Sequence, residues 1–259
     1  MKSTRPTVVF VPGAWHTPSA YDLHLPLLHK TGYPTTYAYL ASVGAAAPVT
    51  FEDDVSAVRK VVAALVELGR EVILVSHSYG GGPATEAVKG LAKVDREAKN
   101  LSGGVVQLIY IAAIVPTKGA SSMEAFGPFK PREEGGTWLG FKDLGNGFPF
   151  VANPEDCFYH DLSPDVARYH VSRLLSHYQP VGYSPLNYEA YKDVPAAYLY
   201  CEEDRALPIE NQKAIVKMTG IQRTKSLKAS HSPFLSDPEG VVGFIRETVE
   251  GRPGVCHIL

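Results

Sequence analysis

Short apolar runs alternate with longer stretches of helical period along most of the chain. Residues 8–11, 35–40, 72–75, 105–114 and 196–200 are compact runs rich in β-branched or aromatic side chains, as strands are, and residues 224–227 read as a last short strand. Between them, residues 21–30, 51–68, 80–91, 208–218 and 238–250 read as helices. The second of these carries Val55, Val58, Val62, Leu65 and Val66 at helical spacing and stops at Gly69, and the fourth stops at Gly220. Strands separated by helices pair in parallel through right-handed crossovers. The pattern predicts an α/β fold with a doubly wound, mostly parallel, six-stranded sheet.

One stretch breaks the alternation. Residues 116–193 lose the regular strand–helix spacing, which predicts a lid or cap inserted into a core made of residues 1–115 and 194–259. Its first part, 126–154, is dense in glycine and proline, and its later part, 164–178, is helical in pattern. Aromatic residues crowd this segment, among them Phe126 and Trp138. Several serve the segment's own small core. Phe126 and Trp138 are the candidates for lining an apolar substrate pocket.

The third strand runs into Ser76-His77-Ser78-Tyr79-Gly80-Gly81. A buried strand, then small-x-Ser-x-Gly, then a helix is the local sequence of a turn that lifts a serine hydroxyl above the sheet. Glycine is usual where Ser76 stands. A serine after a strand can merely cap a helix, so its partners elsewhere decide. In a parallel sheet reactive groups gather at the carboxyl ends of strands. After residues 196–200 comes Cys201-Glu202-Glu203-Asp204, and after 224–227 comes Ser230-His231. Ser78 as nucleophile, His231 as base and Asp204 as orienting acid form a candidate catalytic set, with Glu202 and Glu203 as rival acids. The backbone N–H groups of Tyr79 and Ala14 are the candidate oxyanion donors, because Pro12 has none and Gly13 supplies the turn. Trp15 and His16 would stand at the pocket wall, with a surface position an equal alternative for His16.

Composition narrows the partners. With 25 basic and 27 acidic side chains the formal charge is −2, which gives no electrostatic case for nucleic acid or an anionic membrane. Cys157, Cys201 and Cys256 are odd in number and far apart, which predicts no disulfide framework and a reducing, cytoplasmic setting. No secretory leader is read at residues 1–11, and no metal-ligand spacing or phosphate loop is present, so no metal or cofactor is expected. The ending Cys256-His257-Ile258-Leu259 has the spacing of a prenylation box, but no basic stretch adjoins it and it is expected to go unused. The partner is a small apolar or aromatic ester, and a homodimer stays open.

The loop Pro12-Gly13-Ala14-Trp15-His16, the run Ser76–Gly81, Phe158-Tyr159-His160-Asp161, Cys201-Glu202-Glu203-Asp204 and His231 together resemble one family. The chain is similar over nearly its whole length to the α/β-hydrolases, in the branch that holds plant methyl-ester esterases of salicylate and jasmonate type and hydroxynitrile lyases. The resemblance implies the α/β-hydrolase fold, beginning at the third of its usual eight strands, and Asp204 as the acid. The lyases of that branch use a threonine in the first loop and a lysine just after the histidine. Here Gly13 and Ser232-Pro233 stand there, which argues for hydrolysis. The expected activity is cofactor-independent serine hydrolysis of a carboxylic ester or lactone through an acyl-enzyme. A lyase or carbon–carbon-cleaving enzyme using the same residues for proton transfer is the second reading, and a ligand-binding receptor the third.

Overall fold

The computed structural model describes residues 5–127, 141–142 and 147–251. Its strands in chain order are β1 (Thr7–Val11), β2 (Thr35–Tyr37), β3 (Glu71–His77), β4 (Gly104–Ile111), β5 (Phe141–Lys142), β6 (Phe150–Val151), β7 (Ala196–Cys201) and β8 (Arg223–Leu227). Six of them form one sheet in the order β2-β1-β3-β4-β7-β8, every neighbouring pair parallel. β5 and β6 make a separate antiparallel pair. The helices are α1 (Leu25–Lys30), α2 (Phe51–Glu67), α3 (Gly81–Ala87), α4 (Lys93–Glu97), α5 (Ser122–Phe126), α6 (Pro154–Phe158), α7 (Pro164–Val171), α8 (Ile209–Thr219), α9 (Pro233–Ser236) and α10 (Pro238–Glu250). β1 and β4 are buried along their full length, the mark of central strands covered on both faces. Among the described residues no helix is long and apolar enough to cross a membrane.

Local chemistry explains where the elements start and stop. α2 opens on a capping box in which Thr50 and Asp53 satisfy each other's backbone N–H groups. Its buried face is Phe51, Asp54, Val58, Val62 and Val66, so one carboxylate lies on the apolar stripe. α8 ends on Gly220 at φ +73°, the left-handed closure that glycine allows.

Several elements are shorter than the hydrophobic pattern suggests. The segment 21–30 is helical only from Leu25, where Pro26 fixes the first turn, and a 3-10 turn at Pro18–Tyr21 precedes it. The strand expected over 35–40 ends at Tyr37. Ala38 makes one last bond to the Phe10 carbonyl (2.8 Å) before the chain turns to deliver Ser42 to Asp54. The helix expected over 80–91 begins with a 3-10 turn at Ser78–Gly80 and stops at Ala87. The strand expected over 105–114 stops at Ile111, because Ala112 takes φ +41° and Ile114 N–H turns back onto the Ser78 carbonyl (2.9 Å). The helical reading of 164–178 holds only to Val171. Leu175 N–H is drawn to the Trp15 carbonyl (2.9 Å) and Tyr178 N–H to that of Ser42 (2.9 Å), so the chain is extended there.

Five histidines, His16, His24, His77, His177 and His231, are almost wholly buried. Burial pushes His16 down to about 4, and His24 and His177 down to about 3, while His77 is driven well below the usual range. An unfolded histidine takes up its proton near ~6.5. Between that pH and the folded values the unfolded chain therefore binds the extra proton, and stability falls as pH falls. His16, His24 and His177 should each withdraw about 2 kcal/mol by pH 5, a large part of an ordinary domain's stability. The melting temperature is expected to drop steeply from pH 6.5 to 5, and His24→Leu to flatten that slope by about one proton. A melting temperature that holds level from pH 7 to 5 would contradict the neutral burial of these rings.

Candidate functional site

β2 lies on one side of β1 and β3 on the other, so the strand order reverses between β1 and β3. A crevice opens at such a reversal, beyond the carboxyl ends of the strands. The loop after β1 and the turn after β3 meet there. Ser78 holds φ +52°, a left-handed conformation that an L-residue adopts only under constraint. Close packing of the two turns supplies the constraint. A Cβ on Gly80 would lie 2.3 Å from the Pro12 carbonyl oxygen, and one on Gly13 would lie 2.8 Å from Ser78 Cβ. Only glycine lets the two backbones approach so closely.

His231 follows β8 and Asp204 follows β7, and the sheet sets them side by side. His231 Nδ1 donates to Asp204 Oδ2 at 2.7 Å, with both side chains buried. The other carboxylate oxygen accepts the Ala206 and Leu207 backbone N–H groups, each at 2.8 Å. Gln212 on α8 donates to Asp204 Oδ2 at 3.2 Å and is itself fixed by both backbone groups of Cys201. Four donors thus hold one buried carboxylate. Glu202 and Glu203 are exposed, and Glu203 pairs with Lys228. Asp237 caps α10 through Gly240 N–H. Of the acids, Asp204 is the one that holds the His231 ring.

Two networks that the sequence reading missed brace this geometry. His77 Nε2 lies 2.8 Å from the His231 carbonyl, which can only accept, so that nitrogen carries the proton. Nδ1 then accepts from Tyr21 Oη (2.9 Å), and Tyr21 Oη in turn accepts Gly13 N–H (3.2 Å). The second network centres on Asp54. It receives Ser42 N–H (2.8 Å), Ser42 Oγ (2.7 Å) and Tyr79 Oη (2.8 Å). Burial pushes the Asp54 carboxyl up, against the pull of those bonds. An aspartate four residues before Val58 on an apolar stripe was the available sequence signal.

A cavity of about 580 Å³, counting its open mouth, lies over Ser78. Ala14, Ser78, Tyr79 and His231 all line it, so the proposed nucleophile, base and two oxyanion donors share one space. Among the described residues Ser78 Oγ and the His231 ring make no hydrogen bond of normal geometry, and such contacts commonly tighten only when substrate binds. Trp15 and Phe126 line the cavity as expected, with Phe158 and Met123 extending its apolar wall. Trp138 lies outside the described residues. His16 does not reach the cavity. It sits one layer behind, donating from Nδ1 to the Ala14 carbonyl (2.8 Å) and accepting Tyr159 Oη at Nε2 (2.8 Å), so it is neither pocket wall nor surface.

A serine on a forced turn beside an imidazole–carboxylate pair can attack a carbonyl and have its proton removed. Comparison with known proteins identifies the family. Residues 8–244 match the model of the alpha/beta hydrolase family. The chain is 33% identical over 245 residues to the alpha/beta hydrolase nvfD of Aspergillus novofumigatus, spanning 93% of this chain and 96% of that protein. It is 24% identical over 242 residues to polyneuridine aldehyde esterase of Rauvolfia serpentina, spanning 83% and 85%. The methylesterase MES16 from Arabidopsis has the same fold, with a TM-score of 0.71 at 21% identity over 96% of this chain and 100% of that one. The chain belongs to the alpha/beta hydrolase family and is an enzyme of its hydrolase type, related to the plant methylesterase-like branch.

Proposed function

We propose that this enzyme is a cofactor-independent serine carboxylesterase that cleaves an ester or lactone with an apolar or aromatic part. One observation carries the reading. Ser78 on its left-handed turn shares an apolar cavity with His231, whose far nitrogen is held at 2.7 Å by the buried Asp204. Ser78 Oγ attacks the carbonyl carbon while His231 Nε2 takes its proton. The N–H groups of Ala14 and Tyr79 bind the oxyanion. The tetrahedral adduct collapses to an acyl-Ser78, and His231 returns the proton to the departing alcohol. Water activated by His231 then releases the acid and restores Ser78. Asp204 keeps His231 in the tautomer with its proton on Nδ1. The esterase name of the Rauvolfia relative supports this reading. Ser232-Pro233, standing where the lyases of the branch carry lysine, weighs against cyanohydrin cleavage.

Ser78→Ala should lower kcat by at least ~10³ with an unchanged melting curve, because nucleophile and base act as a unit. Wild type should show a burst of alcohol with an activated ester and a mass gain on Ser78. Carbon–carbon cleavage with no trapped acyl intermediate would replace the esterase reading.

Asp204→Asn should cost on the order of 10²–10⁴ in kcat through the wrong histidine tautomer. Glu203→Gln should be mild, since Glu203 faces solvent. The reverse ranking would move the acid role to Glu203.

A neutral histidine base predicts that kcat/KM falls on one ionisation as pH is lowered, and that this limb is lost from the residual rate of His231→Ala. His16, His77 and His177 cannot supply that limb, because burial holds them neutral far lower. Initial rates after a brief pH jump separate the limb from acid unfolding. A limb that persists in His231→Ala would show that His231 is not the base.

A further inference from the structure

We infer that the substrate carries a hydroxyl or carbonyl oxygen on its apolar body, separate from the scissile carbonyl, and that the His177 imidazole hydrogen-bonds it. The inference rests on the esterase reading of the cavity and specifies which ester enters it.

His177 lines the same cavity as Ser78 and His231, and it is 3% exposed. Neither of its ring nitrogens has a hydrogen-bond partner among the described residues. The ring lies between the Trp15 ring (5.4 Å between centroids) and that of Tyr79 (4.9 Å). Burial pushes the imidazole down to about 3, so at neutral pH it offers one donor and one acceptor and no charge. A buried polar group without a partner destabilises a fold. A leucine or phenylalanine would fill the same space between two aromatic rings without that penalty.

Nor does the ring hold its loop in place. The backbone does so, through Gly44 N–H to the Ser176 carbonyl (2.7 Å), Tyr178 N–H to that of Ser42 (2.9 Å) and Leu175 N–H to that of Trp15 (2.9 Å). Asp54, which receives both Ser42 and Tyr79, ties that loop to the nucleophile turn. The imidazole is thus presented at a fixed position beside the reacting centre with both nitrogens unspent. Its occupant is not the scissile carbonyl, for which Ala14 and Tyr79 supply donors. Ser122 Oγ, buried in the same wall and also without a partner, offers a second polar anchor. A site built around such groups favours a substrate that pairs them and rejects the analogue that leaves them bare.

The test uses 4-nitrophenyl cyclohexylacetate and its analogues bearing a hydroxyl or keto oxygen at each ring position. In wild type, one oxygenated analogue should exceed the parent in kcat/KM by roughly tenfold to a hundredfold. In His177→Leu that ratio should fall to about one, and in His177→Gln, which keeps a donor and an acceptor, most of it should return. No preference at any position, or a preference that survives His177→Leu, overturns the inference. A binding arm separates it from the esterase reading. In Ser78→Ala, Kd for the same pairs should show the same ratio, and the His177 ring ¹⁵N resonances should move with the oxygenated compound and not with the parent. If that holds while wild type forms no acyl-Ser78, the hydrolysis reading falls and this one stands. If acyl-Ser78 forms and His177 does not respond, this one falls alone. The resonances also decide the matter should His177→Leu fail to fold.

Discussion

A single neutral imidazole connects the three loops on which this site is built. His77 donates to the backbone of His231 after β8 and accepts from Tyr21, which in turn accepts Gly13 N–H after β1. His77 itself ends β3, immediately before Ser78. The relay works in one protonation state only. A second proton on the ring would leave the Tyr21 hydroxyl proton without its acceptor, and would place a charge beside His16 and His231. Burial and those neighbours drive the His77 pKa well down, so the working state is the one that persists. The positions of the proposed nucleophile, oxyanion loop and base are therefore coupled through a ring that touches no substrate.

The same economy appears around Asp54 and Asp204. Each is a carboxylate withdrawn from water, and each is held by several donors. Such groups add little net stability, because desolvation offsets most of the attraction. What they add is position. Asp204 sets the His231 ring, and Asp54 sets Tyr79 together with the 42–44 loop against which His177 is paired. Stability then comes from the fully buried central strands, and the polar framework trades some of it for a fixed geometry.

The sheet was legible in the sequence because its central strands β1, β3 and β4 are almost fully buried and read as continuous apolar runs, with the edge strands placed by their spacing. All six follow from the alternation, while their order, with its reversal between β1 and β3, comes from the structure. The candidates Ser78, Asp204 and His231 could be named because they stand in the turns and loops that follow β3, β7 and β8. What the pattern hid was set by contacts between segments far apart in sequence. Residues 175–178 could continue the helical pattern, yet the Trp15 and Ser42 carbonyls take the Leu175 and Tyr178 N–H groups and hold the chain extended there. His16 could be read as pocket wall or as surface from its place in the first loop, but the Tyr159 hydroxyl and the Ala14 carbonyl take both its nitrogens inward. His77 and His177 carried no sequence signal beyond their identity. A histidine in an apolar context reads the same whether its ring is satisfied or left open.

That difference separates the two parts of the cavity wall. The part supplied by the sheet loops, from Ala14, Ser78, Tyr79 and His231, holds the proposed reacting groups, whose spacing the parallel strands fix. The part supplied by residues between β4 and β7, including Met123, Phe126, Phe158 and His177, gives the space its shape and its few polar points. Apolar walls discriminate weakly, since one methylene more or less changes binding only about 10- to 200-fold. A buried polar atom discriminates more strongly, since a ligand that leaves it unpaired forfeits a hydrogen bond that water would have made. Selectivity in such a cavity is therefore concentrated on very few atoms. Changes between β4 and β7 can redirect it while the strand-end chemistry, and the His77 relay that holds it, stay as they are.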